Sequence, residues 1–288
     1  MKLVQVLMLA GIILASAGAL PAQTVAPHAI LFDYDYVGDI DKIDFNEPYG
    51  IVYHTGRGTL FVVGDAGDLC EIRTDGTPIK QARLRSEWPG SDFEGVTYDP
   101  ASGLVYIAVE GAEQILEVNP DTFEVLREFP IDREFEGVTL LKPGGQGIEG
   151  ITFVADPSHP EGGSFYLSNQ GFEFFPAEDP SVIVEVVAPL RTSSDKEAPA
   201  RIARALHVGV PDIAGFHYDA ATGHMYIVSD GANALFEITR DGDVLRGWAC
   251  PGDNQEGIAF DPDWCIYIAQ DSGGILKLKW KRDEQPGL

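Results

Sequence analysis

The chain has 288 residues, with 45 acidic and 20 basic side chains and a formal net charge of −25. Nucleic acid and anionic membrane surfaces are therefore excluded as favoured partners, because phosphate groups are bound by clustered Lys and Arg. Cations, basic proteins and neutral small molecules remain compatible with this charge, although surface carboxylates also serve solubility alone. The length suits one sizeable domain or two small ones.

Residues 1–22 have the pattern of a secretion signal. Lys2 supplies a positive charge, residues 3–20 are apolar almost throughout, and Ala17-Gly18-Ala19 and Ala22 offer small residues for cleavage. The alternative is an uncleaved anchor, but the apolar run is short for a bilayer and ends in small residues. We therefore expect a periplasmic or extracellular protein with no stable membrane insertion after cleavage.

Five segments of the remaining chain share one plan, in which a first strand begins at a glycine. The residue before the glycine and the glycine itself are Tyr49-Gly50, Glu94-Gly95, Glu149-Gly150, Ala214-Gly215 and Glu256-Gly257. A second strand follows in each copy and then, after a glycine-containing turn, a third. These runs are short, rich in β-branched and aromatic residues and separated by turns, which predicts antiparallel β-meanders.

Meanders repeated around an axis predict an all-β, five-bladed β-propeller over residues 28–280, followed by a tail at 281–288. An open solenoid is the alternative. The fifth copy stops after three strands at Trp280, and residues 28–37 resemble a lone strand that can supply the missing outer strand and close the ring. Residues 135–140 imitate a repeat start. We interpret them as the outer strand of blade 2, and a blade beginning there would make six.

The three cysteines are Cys70, Cys250 and Cys265, an odd number that excludes a complete disulfide framework. Cys250 and Cys265 can pair if their strands are adjacent. Their apolar neighbours slightly favour the alternative, in which each is a small unpaired core residue.

Acidic residues recur at two equivalent positions of the repeat. First strands line the channel of a propeller, so the residues before the five glycines converge, and three of them are Glu94, Glu149 and Glu256. We expect a second ring near the same mouth from the last residue of each second strand: Asp65, Glu110, Gln170, Asp230 and Asp271.

Converging carboxylates repel one another, so they either hold protons or bind a cation. Donor sets with oxygen alone suit Ca²⁺ better than Zn²⁺. We therefore predict that Glu94, Glu149 and Glu256 bind Ca²⁺ and that the second ring forms a ligand-binding channel mouth. For the second ring, capping of turns is an equally supported alternative.

The chain resembles the SdiA-regulated (YjiK-like) bacterial family over about residues 46–279. The most specific part includes PDIAGFHYDAATGHMYIVSDG, which begins at Pro211, and NQEGIAFDPDWCIYIAQDSGG, which begins at Asn254. The glutamates before the glycines of blades 2, 3 and 5 also agree with the family. The resemblance implies a five-bladed propeller with a calcium site. The family is distantly related to NHL-repeat propellers, which include both binding scaffolds and enzymes.

Two functions follow from these features. The first is an exported calcium-binding propeller that presents its loops to a small molecule or a protein. The second is a metal-dependent hydrolase of the lactonase, esterase or phytase-like kind, in which the channel cation polarises a substrate oxygen or activates water. Phytase-like chemistry is disfavoured, because the ring positions and their neighbours contain no Lys or Arg for a phosphate. The sequence identifies no catalytic residue.

Overall fold

The computed structural model describes residues 27–281 except 44, 46, 85–91, 144, 146 and 172–180. These residues form a five-bladed β-propeller, which confirms the predicted fold class and blade number and excludes the sixth blade. The predicted secretion signal and the tail beyond residue 281 lie outside the described residues. The described residues include no helix with the length and apolar character of a membrane span.

Each blade is an antiparallel sheet of four strands, numbered outward from the channel. Blade 1 contains Pro48–His54, Thr59–Gly64, Asp68–Ile72 and Pro78–Arg83, and blade 2 contains Asp92–Tyr98, Val105–Glu110, Gln114–Val118 and Val125–Pro130. Blade 3 contains Ile148–Ala155, Gly163–Asn169, Ile183–Val187 and Arg201–Leu206, and blade 4 contains Ile213–Asp219, His224–Ser229, Ala234–Ile238 and Val244–Ala249. Blade 5 contains Gln255–Phe260, Ile266–Gln270, Ile275–Trp280 and Tyr34–Asp39.

The N-terminal segment closes the ring, as predicted, but not as one strand. Tyr34–Asp39 pairs antiparallel with the third strand of blade 5, whereas His28–Ala29 pairs in parallel with the outer strand of blade 4. A short 3₁₀ turn, Ile30–Phe32, joins the two pieces. The division has a physical cause, because Ile30 is fully buried between blades 4 and 5 and the Asp33 carboxylate accepts a 2.9 Å hydrogen bond from the Trp248 indole nitrogen.

The interpretation of residues 135–140 as the outer strand of blade 2 is wrong. That strand is Val125–Pro130, and Glu134–Phe135 and Val138–Thr139 instead form a separate two-stranded hairpin. Glu136 and Gly137 both have left-handed φ values, 52° and 82°. Two consecutive residues of this kind make a tight hairpin turn, which reverses the chain in the middle of the segment.

The glycines of the five first strands close the centre of the molecule. A Cβ atom added to any of them would press on the carbonyl oxygen of the residue before the next blade's glycine, and no side chain fits in that space. The distance from the added Cβ atom to the carbonyl oxygen is 2.7 Å for Gly50 and Glu94, 3.0 Å for Gly95 and Glu149, 2.5 Å for Gly150 and Ala214, 2.3 Å for Gly215 and Glu256, and 2.4 Å for Gly257 and Tyr49. The series returns to blade 1, so the ring is closed by backbone contact.

Apolar side chains fill the space between adjacent blades, with one cluster of described residues at each of the five junctions. The cysteines belong to these clusters. Cys70 and Cys265 are buried between blades 5 and 1, whereas Cys250 packs against the cluster of blades 4 and 5. All three are free thiols, so Cys250 and Cys265 do not pair. The core-residue alternative is confirmed for Cys70 and Cys265, whereas Cys250 is only partly buried.

Replacement of Gly257 by Ala tests the glycine ring. The new methyl group would lie 2.4 Å from the Tyr49 carbonyl oxygen and 2.8 Å from the Ile51 amide nitrogen, both backbone atoms that cannot rotate away. We expect the free energy of unfolding, measured in urea, to fall by about 1–3 kcal/mol, as for other overpacked sites. Gly56→Ala is the matched control, because its nearest neighbour is the His54 ring at 3.4 Å. Equal losses in both variants would contradict the packing argument.

Candidate metal centre at the channel mouth

The three predicted glutamates occupy the same irregularity in three blades. Pairing between the first and second strands is interrupted from Phe93 to Val96, from Ile148 to Ile151 and from Gln255 to Gly257. These are β-bulges, which bend a strand and change the direction of a side chain. In each case the residue at the bulge is the glutamate that precedes the ring glycine, and the glycine contacts bring that position close to the channel axis.

Glu94, Glu149 and Glu256 share one electrostatic environment. Glu94 and Glu149 expose only 8% and 7% of their surface. Burial raises the pKa of Glu94 well above its usual range, and repulsion from Glu110 and Glu256 adds to this effect. Burial likewise raises the pKa of Glu149, with further repulsion from Glu94 and Glu256. The structure therefore brings the three glutamates to one mouth, as the repeat predicts.

The same cause acts on Glu256. Burial raises the pKa of Glu256 to about 8, and the negative charges of Asp230, Asp212 and Asp271 contribute. Asp230 and Asp271, two members of the second ring, therefore lie close to Glu256, a member of the first ring. The two rings form one acidic surface around the channel opening.

The tightest cluster of carboxylates at this mouth lies in blade 2. One oxygen each from Asp92, Glu94 and Glu110 lies within 4.8 Å of the other two. Among the described residues, this is the group of potential metal ligands that meet at such short distances. Asp92 and Glu110 are direct partners across the first and second strands, and Glu94 follows Asp92 by two residues. Glu149 and Glu256 face the same mouth without belonging to this cluster.

One oxygen of the cluster is buried without a hydrogen-bond partner among the described residues. Glu94 Oε2 is shielded from solvent and accepts no hydrogen bond from the described residues, whereas Glu110 Oε1 accepts one from the Gly147 amide at 2.8 Å. A buried acceptor without a partner costs about 1–3 kcal/mol, and more if it is charged. The cluster offers carboxylate oxygens alone, which is the chemistry of a hard cation site.

The second predicted ring is present at the mouth with small differences in position. Glu110 ends its strand, whereas Asp65, Gln170, Asp230 and Asp271 each come one residue after theirs. Burial and the charges of Asp271, Glu94, Glu256 and Asp65 raise the pKa of the Tyr49 hydroxyl. The Gln170 side chain hydrogen-bonds Asp212.

Two members of the second ring join neighbouring blades. Glu110 of blade 2 accepts a hydrogen bond from the Gly147 amide at the entrance to blade 3. Asp230 of blade 4 accepts one from the Gln255 amide, which begins blade 5, at 3.2 Å. These carboxylates therefore bond backbone N–H groups, as the turn-capping alternative supposes, but in the next blade instead of in their own turn.

Three acidic residues of the site were missed by the sequence analysis: Asp92, Asp212 and Glu113. Asp92 and Asp212 precede the ring position by two residues, and the same position holds Glu47 in blade 1 and Asn254 in blade 5. Oxygen-bearing side chains therefore recur at a third position of the repeat, and this recurrence is the signal that could have identified Asp92 and Asp212. Burial raises the pKa of Asp212 to about 6.

Glu113 carried no repeat signal, because its role depends on tertiary contacts. It is 2% exposed, accepts the Ile148 amide at 3.2 Å and pairs with Arg133 at 3.1 Å. Burial raises its pKa to about 7, although the Arg133 charge opposes the shift. Glu113 therefore helps to fix the strand that carries Glu149.

Comparison with known proteins agrees with this architecture. The family model described as SdiA-regulated matches residues 33–272. The crystal structure of Myxococcus xanthus glutaminyl cyclase superposes with a TM-score of 0.59 and 15% sequence identity, over 85% of this chain and 95% of that one. The Cps50 (Swd1) β-propeller domain of Myceliophteria thermophila gives a TM-score of 0.49 and 9% identity, over 85% and 99% of the two chains. At 15% identity the similarity to the cyclase concerns the fold alone.

Glu256→Gln is expected to change how stability depends on pH when a chelator is present. The folded protein retains the Glu256 proton up to a pKa of about 8, whereas the unfolded side chain releases it near its ordinary pKa of 4.5. Between these values folding binds a proton, so this group lowers stability as the pH rises, by up to about 1.4 kcal/mol per pH unit.

Urea unfolding from pH 5 to pH 8 measures this effect. Wild type should lose free energy of unfolding relative to Glu256→Gln as the pH rises. Glu124→Gln, which alters an exposed carboxylate at the blade 2 turn, is the control and should follow wild type. Parallel curves for wild type and Glu256→Gln would contradict the assigned environment.

Proposed function

This chain belongs to the SdiA-regulated family, and we propose that it is an exported calcium-binding β-propeller that binds a small molecule or a protein at its acidic channel mouth. The observation that carries the proposal is the buried Glu94 Oε2, which has no hydrogen-bond partner among the described residues and lies beside the Asp92 and Glu110 carboxylates. An ion at this point would supply the missing partner.

The residues present fit Ca²⁺. The carboxylates of Asp92, Glu94 and Glu110 offer up to six oxygens, and Ca²⁺ takes six to eight in a flexible arrangement. A bound divalent cation would also neutralise the repulsion that, together with burial, raises the pKa of Glu94. If the protein is exported, we expect the weak affinity of extracellular calcium modules, with a Kd of about 10⁻⁴–10⁻³ M.

Two ligand sets compete within this proposal. The repeat predicts Glu94, Glu149 and Glu256, whereas the short oxygen distances favour Asp92, Glu94 and Glu110. We propose the second set as direct ligands, with Glu149 and Glu256 adding negative charge to the mouth. Because Glu110 also bonds the Gly147 amide, an ion in this position would strengthen the junction between blades 2 and 3.

A hydrolase is the second candidate, and one observation favours it. Burial raises the pKa of both Asp230 and Glu256, so each side chain can exchange a proton closer to neutral pH than an ordinary carboxylate. A proton-exchanging carboxylate near a cation is an arrangement that metal-assisted hydrolysis uses. Turnover of a lactone and ester panel that requires Ca²⁺ and is lost in Glu256→Gln would establish this function in place of simple binding.

Calcium is expected to raise the thermal midpoint of the wild-type protein, because a ligand that binds only the folded state stabilises it. Asp92→Asn and Glu94→Gln should each abolish most of the shift. Glu149→Gln should retain it if blade 2 supplies the ligands, and should lose it if the three glutamates do. Thermal unfolding with calcium and with chelator measures the shift, and isothermal titration calorimetry measures binding directly.

Glu124→Gln is again the matched control, since it removes one negative charge from the same blade at an exposed position. It should keep the full calcium shift. A midpoint that is equal in calcium and in chelator, with no heat of binding, would refute the calcium site. Equal shifts in the Glu94→Gln and Glu124→Gln variants would place the ion elsewhere.

A further inference from the structure

The channel has a second opening at the opposite ends of the first strands. The acidic residues stand at the beginning of these strands, whereas Tyr53, Tyr98, Tyr218 and Phe260 stand at or near their ends. Here the strands surround a cavity of about 420 Å³. The ring of glycines separates it from the acidic mouth and leaves a cavity of only about 10 Å³ between them. This aromatic pocket, as we call it, has the size of a small-ligand site.

Aromatic side chains from all five blades line it: Tyr53, Tyr98, Phe153, Phe216, Phe260 and Trp264. Several of them are held in place by ring contacts. The Phe260 ring lies 5.6 Å from Trp264 and 4.9 Å from His217, in the tilted and edge-on arrangements that aromatic pairs prefer. The faces of these rings are therefore fixed before any ligand binds.

Trp264 has an unusual backbone conformation and an exposed side chain. It has a φ of 60° at the turn between the first and second strands of blade 5, and 40% of its surface is exposed. The left-handed position of the same turn is Gly58 in blade 1, Gly103 in blade 2 and Gly223 in blade 4. A bulky residue in this conformation is strained, and such strain is found where a side chain serves a function.

The charged side chains among the described lining residues of the pocket are acidic. Asp219 and Asp261 line it, and the described lining residues include no Lys or Arg. His217 also lines it, and its enclosed position lowers its pKa to about 4, so the imidazole is neutral near pH 7. Burial and the charge of Asp261 raise the pKa of Tyr53. A ligand here meets aromatic faces and negative charge.

We propose that the aromatic pocket binds a small organic cation, an alkylated ammonium group on a short apolar body. Aromatic faces attract such cations through their ring quadrupoles, and quaternary ammonium groups are commonly recognised in this way. Asp219 and Asp261 supply the compensating charge, and Trp264 closes one side of the site. The proposal is independent of the calcium site, because it concerns other residues at the other end of the channel.

Three probes of one shape and different charge test the class of ligand: choline, the neutral 3,3-dimethylbutan-1-ol and the anionic 3,3-dimethylbutanoate. Isothermal titration calorimetry with the wild-type protein near neutral pH should show choline binding about ten-fold or more tightly than the alcohol, and no binding of the carboxylate. Equal or tighter binding of the alcohol would overturn the cation assignment. Absence of choline binding at any soluble concentration would overturn the site.

Variants of the wall test the residues. Trp264→Gly places at this turn the residue found in blades 1, 2 and 4, so the fold should be kept while choline affinity falls about ten-fold. Asp219→Asn should weaken choline binding and leave binding of the neutral alcohol unchanged. Tyr36→Leu is the control, since Tyr36 is an aromatic residue 50% exposed on the outer strand of blade 5. Unchanged choline affinity in Trp264→Gly, with the thermal midpoint preserved, would refute the role of Trp264.

Discussion

Backbone contact at the five central glycines is the constraint on which the rest of this structure depends. Each glycine lies against a carbonyl oxygen of the next blade, and the series returns from Gly257 to Tyr49. Only residues without a Cβ allow strands to approach this closely. The contact fixes the ring, and it also decides where the neighbouring residues go, because the side chain before each glycine has to leave the crowded axis at the same mouth.

The buried carboxylates of this protein lie in two opposite electrostatic environments. On the third strands, Glu71 pairs with Arg57 at 2.8 Å and Glu185 with Arg204 at 2.7 Å. Burial opposes ionisation of Glu71, but hydrogen bonds from Arg57 and Thr59 overcome it and lower the pKa. Glu94 is also buried and has other carboxylates as its charged neighbours. The chain therefore pairs these outer glutamates with arginine but leaves the channel glutamates beside one another, at a cost in stability.

The repeat carried enough information for the fold, the blade number, the closing N-terminal segment and the convergence of Glu94, Glu149 and Glu256. These features follow from rotational repetition, in which equivalent positions occupy equivalent places. The remaining features depend on contacts without periodicity. The break at Asp33 depends on a bond to Trp248, 215 residues away, and the hairpin around Glu136 depends on two left-handed residues. Asp92 meets Glu110 through cross-strand pairing, and the bulge after Phe93 brings Glu94 to these two carboxylates.

The two ends of the channel differ in chemistry because they lie at opposite ends of the same strands. The glycine contacts leave about 10 Å³ between them, less than a small ligand requires, so neither mouth is the entrance to the other. Each can therefore acquire its own ligand by substitution at strand ends and turns, without disturbing the glycines that hold the ring. Function in a propeller resides in such grafted sites. The carboxylates at one end and the aromatic rings at the other are positioned by the same first strands, which are the rigid elements of the scaffold.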